Sequence, residues 1–458
     1  MTASPDSAVA SPQRRVRRIW RMLLSTGLIL FCIAVLLFAF RGRIQEEWTL
    51  RSARQLLHMS NLESAAIAKT RLQALGQQQQ HVSAETHYLL GRAQRRTGEI
   101  EEALESLKHA ESAGWDAAQI QLQRQLALIQ RGHIDQQTAA FDRLVLQNSP
   151  DDIAYEIYEA MARGYMFTYR FQDALHCLNF WTDWCRTAVD PRMWRATLWE
   201  QTEQWDQAIS EYREVMRLDP TNLTSRQSLA RILLTQMNEP DEAYSVLKDS
   251  LTLDADNVLT QIGLASCERH LARPEDSERR LRALLKQSLS ATERTSVYQE
   301  LGQVLLDRRE VSEAIELLKS VVEAEPLNSA VHYSLGTAYS WQGDADLASK
   351  HLEQSRQLTE QFARLTKITA ELVNHPKNAD QRWEAGQILM DRGMHTEGAG
   401  WMATALIYQP DHQKTHASLA AYYETVRPDA ELAKKHRAKL QSNDAEGQYR
   451  SGSPQSSL

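Results

Sequence analysis

The sequence predicts an all-α fold, a solenoid of helix-turn-helix repeats preceded by one amino-terminal transmembrane helix. Three observations lead there. A small residue recurs twelve positions before a second small residue and often twelve more before a proline, as in Gly302, Ala314 and Pro326, and again in Gly386, Gly398 and Pro410. Gly336 and Ala348 then repeat the spacing of Gly302 and Ala314 one unit later. A period of about 34 residues marks stacked helix pairs, which bury together a core that one pair cannot close alone. The third observation is Met22 to Phe40, an unbroken apolar run without a charge. Only 12 prolines and 18 glycines in 458 residues also favour helices over a sandwich or barrel.

From the amino end, residues 1–21 are polar and basic and are expected to be disordered. The apolar run 22–40 follows, and at about 1.5 Å per residue it just crosses a hydrocarbon core of about 30 Å. Arg14, Arg15, Arg17, Arg18 and Arg21 precede it, against Arg41, Arg43, Arg51 and Arg54 beyond. This bias places the amino end in the cytoplasm and the rest outside it, which in a bacterium is the periplasm. A cleaved leader wants small residues at the cut, but the run ends Phe38, Ala39, Phe40, Arg41. Leu30 and Phe31 before Cys32 exclude a lipidation site, and two further arginines interrupt the twin-arginine pattern at Arg14 and Arg15. The segment reads as a signal anchor.

The solenoid is expected over 46–362, opening with a divergent helix pair at 46–75. Its best units are 84–117, 155–188, 189–222, 295–328 and 329–362. Units at 118–151, 223–257 and 258–291 are weaker, though Leu229–Ala230 and Leu264–Ala265 keep the first-helix pattern. Glycine and alanine sit where the two helices of a unit cross, and Leu301, Leu305, Leu318 and Val321 fill the seam at helical spacing. Pro326 and Pro410 stop second helices. The interval from Gly336 to Gly386 is one repeat plus about half of another, so the surplus, roughly Gln357–Asn374, reads as an extended or extra helix, with 363–378 a helical insert or linker before a carboxy-terminal pair at 379–440. The polar stretch 441–458 is expected to be a disordered tail.

These residues resemble the tetratricopeptide repeat. Its pattern of aromatic, Leu-Gly, aromatic, Ala and Pro at set offsets is matched by His332, Leu335, Gly336, Tyr339, Ala348 and Leu352. Tyr298, Leu301, Gly302, Leu305, Ala314, Leu318 and Pro326 match it again. The resemblance covers roughly 84–440 and implies a right-handed superhelix whose first helices line a concave groove for proteins or peptides, with no chemistry. A membrane helix ahead of such repeats also resembles bacterial membrane-anchored assembly scaffolds. The lipopolysaccharide assembly regulators among them carry paired Cys-x-x-Cys, which this chain lacks.

In such repeats the groove is lined by one stripe of each first helix. Here that stripe is Tyr88, Arg92 and Arg95; Gln299 and Gln303; Tyr333, Thr337 and Trp341; and Trp383 and Gln387. Tyr, Trp and Arg dominate binding hot spots, so these residues are the candidate protein-binding surface. Residues 155–212 hold 13 of the chain's 33 aromatic side chains. Within them Tyr165, Phe167, Tyr169 and Phe171 alternate through a turn and form a candidate partner patch.

Residues 1–40 carry five arginines and one acid, Asp6, of the chain's 52 basic and 59 acidic residues. The remainder is left with 47 and 58, a net −11, which argues against nucleic acid as partner. Cys177 and Cys185, eight apart on one helix, would lie about 12 Å from each other, too far for a disulfide, and free thiols are expected. His412 and His416 share a helical face beside Asp411, but no third metal ligand accompanies them. No phosphate loop, dinucleotide fingerprint, nucleophile elbow or haem-attachment pair occurs, so neither an enzyme nor a cofactor is expected. The reading is a membrane-anchored, non-catalytic scaffold that assembles a membrane or envelope complex, in contact with the bilayer through Met22–Phe40. The alternative is an accessory component that stacks glycan or lipid on the aromatic stretch 155–212.

Overall fold

A computed structural model describes residues 45–59, 61–78, 82–134 and 151–451, with side chains from 153 to 440 in the last stretch. The described residues form 21 helices and no strand. They fall into two compact units that divide between Ala127 and Leu128.

The first unit begins with the helices at 45–58 (α1) and Leu62–Gln78 (α2). Ala84–Thr97 (α3) pairs with Ile100–Ser112 (α4), and Ala117–Gln130 (α5) runs on across the boundary. Leu50, Ala53 and Leu57 of α1 share one core with Leu72, Tyr88, Leu89, Leu107 and Ile120. Arg54 holds Glu85 through two nitrogens, at 2.5 and 2.8 Å, tying α1 to α3.

The second unit is a succession of pairs. They are Asp151–Phe167 (α6) with Phe171–Trp184 (α7), Asp190–Gln201 (α8) with Trp205–Leu218 (α9), and Leu223–Thr235 (α10) with Pro240–Ser250 (α11). Val258–His270 (α12) then pairs with Pro274–Leu284 (α13), and Ala291–Asp307 (α14) with Val311–Ala324 (α15). Ser329–Gln342 (α16) precedes the long Ala345–Asn374 (α17). Ala379–Asp391 (α18) pairs with His395–Tyr408 (α19), and Gln413–Thr425 (α20) with Ala430–Ser451 (α21).

Three local devices build each pair. Asn222, Asn257, Asn328 and Asn378 cap first helices, each accepting a hydrogen bond from the backbone N–H three residues on. Ser290 does the same with Glu293 reaching back, a full capping box. Between the two helices of most pairs one residue takes the left-handed conformation: Gly98, Tyr169, Glu203, Asn238, Ala272, Arg309, Gly343 and Gly393. The twelve-residue spacing has a direct cause at the crossing. A Cβ on Gly386 would lie 2.8 Å from the Gly398 carbonyl oxygen, and one on Gly398 would lie 2.7 Å from that of Gly386.

The membrane helix and the disordered tail are corrected here. Among the described residues no helix is long and apolar enough to cross a membrane. The longest, α17, carries a charge every three or four residues, from Asp346 to Glu371, which a bilayer core does not accommodate. The single-pass reading, with a cytoplasmic amino end and an extracytoplasmic solenoid, is corrected on that finding; Met22–Phe40 and the basic stretch 1–21 lie outside the described residues. Of the extended and the extra helix expected at the insert, the structure has the extended one, since α17 runs unbroken from Ala345 through Asn374. The tail expected from 441 is helical through Ser451, since no proline intervenes before Pro454. The second half of the unit expected at 118–151 lies mostly outside the described residues.

Candidate protein-binding face

Several first helices of the second unit use polar side chains of their inner face to hold the next. Gln227 on α10 donates to Asn257 and Thr260 at 3.0 and 3.1 Å. Gln299 accepts from Asn328 at 3.0 Å, and Gln303 donates to Ser334. Trp383 Nε1 donates to Ser418 at 3.0 Å, and Gln387 donates to Asp391 at 2.8 Å and accepts from Ser418. Ion pairs link neighbours in the same way between Arg231 and Glu200 and between Arg269 and Glu300. Gln299, Gln303, Trp383 and Gln387 of the expected groove are therefore used, at least in part, inside the scaffold.

Two expected groove residues stand free of that ladder. Tyr333 is 61% exposed and Trp341, eight residues on along α16, is 44% exposed. The Arg309 guanidinium lies 3.7 Å from the Trp341 ring centroid, close enough to orient it by a cation–π contact. Thr337 lies between them and bonds the Tyr333 carbonyl at 3.0 Å.

In the first unit the expected groove residues are turned inward. Tyr88 is buried and stacks on Trp115 at 5.2 Å, Arg92 is buried, and Arg95 is fully buried and donates to Gln123 at 2.7 Å. They cannot present an open face, so that part of the stripe is corrected.

The candidate patch at 165–171 is corrected as well. Phe171 is buried, and Tyr169 packs on Trp401 with ring centroids 3.9 Å apart. Burial pushes the Tyr169 phenol up to about 12. Arg170 sits over the Tyr165 ring at 4.9 Å, and Phe167 alone keeps an exposed edge, at 37%. The turn thus packs against α19 rather than facing a partner. Behind it Trp181 is fully buried between Tyr155 and Trp194, at 4.7 and 5.4 Å.

A cavity of about 330 Å³ between α10 and α12 had no marker in the sequence; Arg231, Leu234, Leu247, Leu259, Ile262 and Gly263 are among its lining residues. Leu259 is exposed at its mouth. The only signal was an apolar residue at the second position of a first helix, too common to single out.

The histidines are also engaged. His332 Nε2 and His416 Nε2 face the carbonyls of Pro326 and Pro410, at 3.0 and 2.8 Å, so each must carry its proton there. Their Nδ1 atoms then accept from His351 and His436, at 2.9 and 2.8 Å. His412 faces Thr415 and Asp380 at 2.7 and 3.3 Å. Among the described residues no three His, Cys, Asp or Glu side chains converge as metal ligands. Cys177, Cys185 and Cys267 are free thiols, and burial pushes Cys177 and Cys267 up to about 12, far from a reactive thiolate.

Profiles described as Tetratricopeptide repeat match residues 305–372 and 84–113, and the chain carries such repeats over those stretches. No curated protein matches the chain. Among solved structures it is similar to MamA, at 22% identity over 37% of this chain and 96% of that one, with a TM-score of 0.29. It is similar to PilW, a widely conserved type IV pilus biogenesis factor, at 16% identity, 50% and 98% coverage and a TM-score of 0.34. YrrB, a TPR protein with an unusual peptide-binding site, is similar at 16% identity, 45% and 96% coverage and a TM-score of 0.25. At such low scores these likenesses carry no argument about what this chain binds.

Proposed function

We propose that the chain is a non-catalytic scaffold that captures a protein segment on the first-helix face of its second unit, with Tyr333 and Trp341 as anchors. The observation that carries this reading is their exposure on a face where neighbouring polar side chains are already paired within the scaffold. Two large aromatic side chains left open to water at helical spacing are what a partner's apolar residues would bury, and such residues concentrate binding energy. The acidic balance of the chain favours a protein over a nucleic acid. Because Trp181, Tyr155 and Tyr169 pack inside, the aromatic stretch 155–212 gives little support to a role in stacking glycan or lipid.

The test is capture of cross-linked partners by the tagged full chain, compared with Tyr333→Ala combined with Trp341→Ala. Loss of specific partners, by at least about tenfold at unchanged helix content, is the expected result. Identical partner sets would remove this face from consideration.

A further inference from the structure

Within the second unit the chain closes on itself, and the closing contact is built around one buried arginine. The fourth residue of a first helix commonly donates to the carbonyl six positions earlier and so locks the link between repeats. Arg226 does so to Pro220 at 3.0 Å, Gln261 to Ala255 at 3.0 Å, and His332 and His416 to Pro326 and Pro410. Arg382 occupies this position in α18 and donates from Nε to the Pro376 carbonyl at 2.8 Å. Its side chain is longer than histidine, and Nη2 reaches on to the carbonyl of Thr168, far back along the chain, at 2.5 Å.

Several features surround that bond. Arg382 Nη1 donates to Thr404 at 3.1 Å and the guanidinium lies 4.8 Å from the Tyr408 ring, but among the described residues no carboxylate meets this fully buried cation. Burial accordingly lowers its proton affinity, to about 10. Tyr169, beside Thr168, holds φ at 54°, a conformation that a bulky side chain adopts only at a cost. The turn is given room by two glycines. A Cβ on Gly132 would lie 2.6 Å from Thr168 Cγ2, and one on Gly400 would lie 3.3 Å from Phe167.

We propose that the turn Phe167–Arg170 is a clasp, which docks on Arg382 and Trp401 to hold the second unit closed and undocks to open it. The contact has the properties of one that releases. It joins the turn to helices far along the chain, with Tyr169 also against the core of Ile368, Leu372 and Leu389 and with Val373 of α17 against the α6–α7 core, while the other junctions described in the unit are helices lying along their sequence neighbours. Undocking returns to water a guanidinium that, among the described residues, meets no carboxylate. This gain offsets the loss of the contacts of Tyr169 and keeps the open form within thermal reach, as local opening equilibria require. Opening would uncover the first-helix face to an incoming chain, a consequence that rests on the binding reading above.

The distance between spin labels at Gln172→Cys and Ala403→Cys tests the clasp in the full chain, with Cys32→Ser and Cys185→Ser to limit labelling. Both label sites are exposed. No partner is added, so failure here is separate from failure of the binding face. A single short population is expected for the parent. Tyr169→Ala with Arg382→Met is expected to move most molecules to a longer, broader distribution at unchanged helix content. Arg382→His is the gentler variant, because histidine keeps the bond to the carbonyl of the preceding link, as His332 and His416 do, yet cannot span to Thr168. It should shift a smaller fraction the same way. A short distance that persists in both variants overturns the clasp, and so does a parent that is already long.

Discussion

In the pairs α14–α15 and α20–α21 the distinctive side chains act on close neighbours. Gly302 lies beneath Leu318, where an added Cβ would stand 2.7 Å from the leucine tip, and His416 bonds the Pro410 carbonyl of the adjoining link and His436. In the pairs α6–α7 and α18–α19 the corresponding positions act at long range. Tyr169, in the turn that other pairs fill with glycine, glutamate, asparagine, alanine or arginine, meets Trp401, and Arg382, at the position of His416, meets Thr168. One repeat architecture thus carries two kinds of contact. Contacts between neighbours build the stack, and a few long-range contacts close it.

The largest expected effect sets the two turns against each other. Tyr169→Gly relieves the left-handed backbone but removes the ring from Trp401, and should lower stability by about 2–3 kcal/mol. Glu203→Gly relieves the same conformation in α8–α9, where no such ring is lost, and should raise stability by about 1 kcal/mol. Chemical denaturation followed by circular dichroism reads both. Equal and opposite-signed results are not required, but a stabilising Tyr169→Gly would erase the distinction between the regions.

The second comparison is between glycines. An alanine at Gly386 meets backbone, the Gly398 carbonyl at 2.8 Å, and should cost about 1–3 kcal/mol. At Gly302 the obstacle is the movable tip of Leu318, and the roughly 1 kcal/mol gain in helix propensity should leave the net change within about 1 kcal/mol. The same denaturation midpoints decide it.

A smaller effect concerns acid. Burial, with His416 and Lys435 adding to it, lowers His436 to about 4, and burial with His332 and Lys350 lowers His351. The unfolded chain therefore takes up these protons first as pH falls. The stability that the neutral histidines contribute is complete above about 6.5 and is lost progressively towards about 4. Arg382, at the His416 position in the closing pair, stays charged across that window. The slope of stability against pH should accordingly flatten in His436→Phe and stay as it was in Arg382→Met.

Much of the stack was legible in the sequence because its contacts are short in sequence. The twelve-residue spacing of Gly386 and Gly398 is the distance along the chain between two backbones that touch, and Leu301, Leu305, Leu318 and Val321 are buried in one core as their spacing implied. Tyr333 and Trp341 were legible as exposed aromatics for the same reason, since the seam residues Leu335, Ala338 and Tyr339 leave them the opposite face of α16. The closing contact was not. Tyr165, Phe167, Tyr169 and Phe171 announced an unusual turn, but no periodicity links a turn to a helix so far along the chain. Nor does a single sequence distinguish an arginine that bonds one carbonyl from one that bonds two. In the first unit, Arg92 and Arg95 read as groove lining from their place on the first helix beside the Leu-Gly seam, and the structure buries both.

The most direct test of the division between stacking and closing contacts is a double-mutant cycle on Tyr169→Ala and Trp401→Ala, which are distant in sequence and adjacent in the fold. Stability of the full chain is measured for the parent, both single variants and the double. A coupling of about 0.5–1.5 kcal/mol is expected, as for two aromatic rings in contact. Effects that add to within about 0.3 kcal/mol would mean that the rings do not meet, and the second unit would then be a stack without a closure.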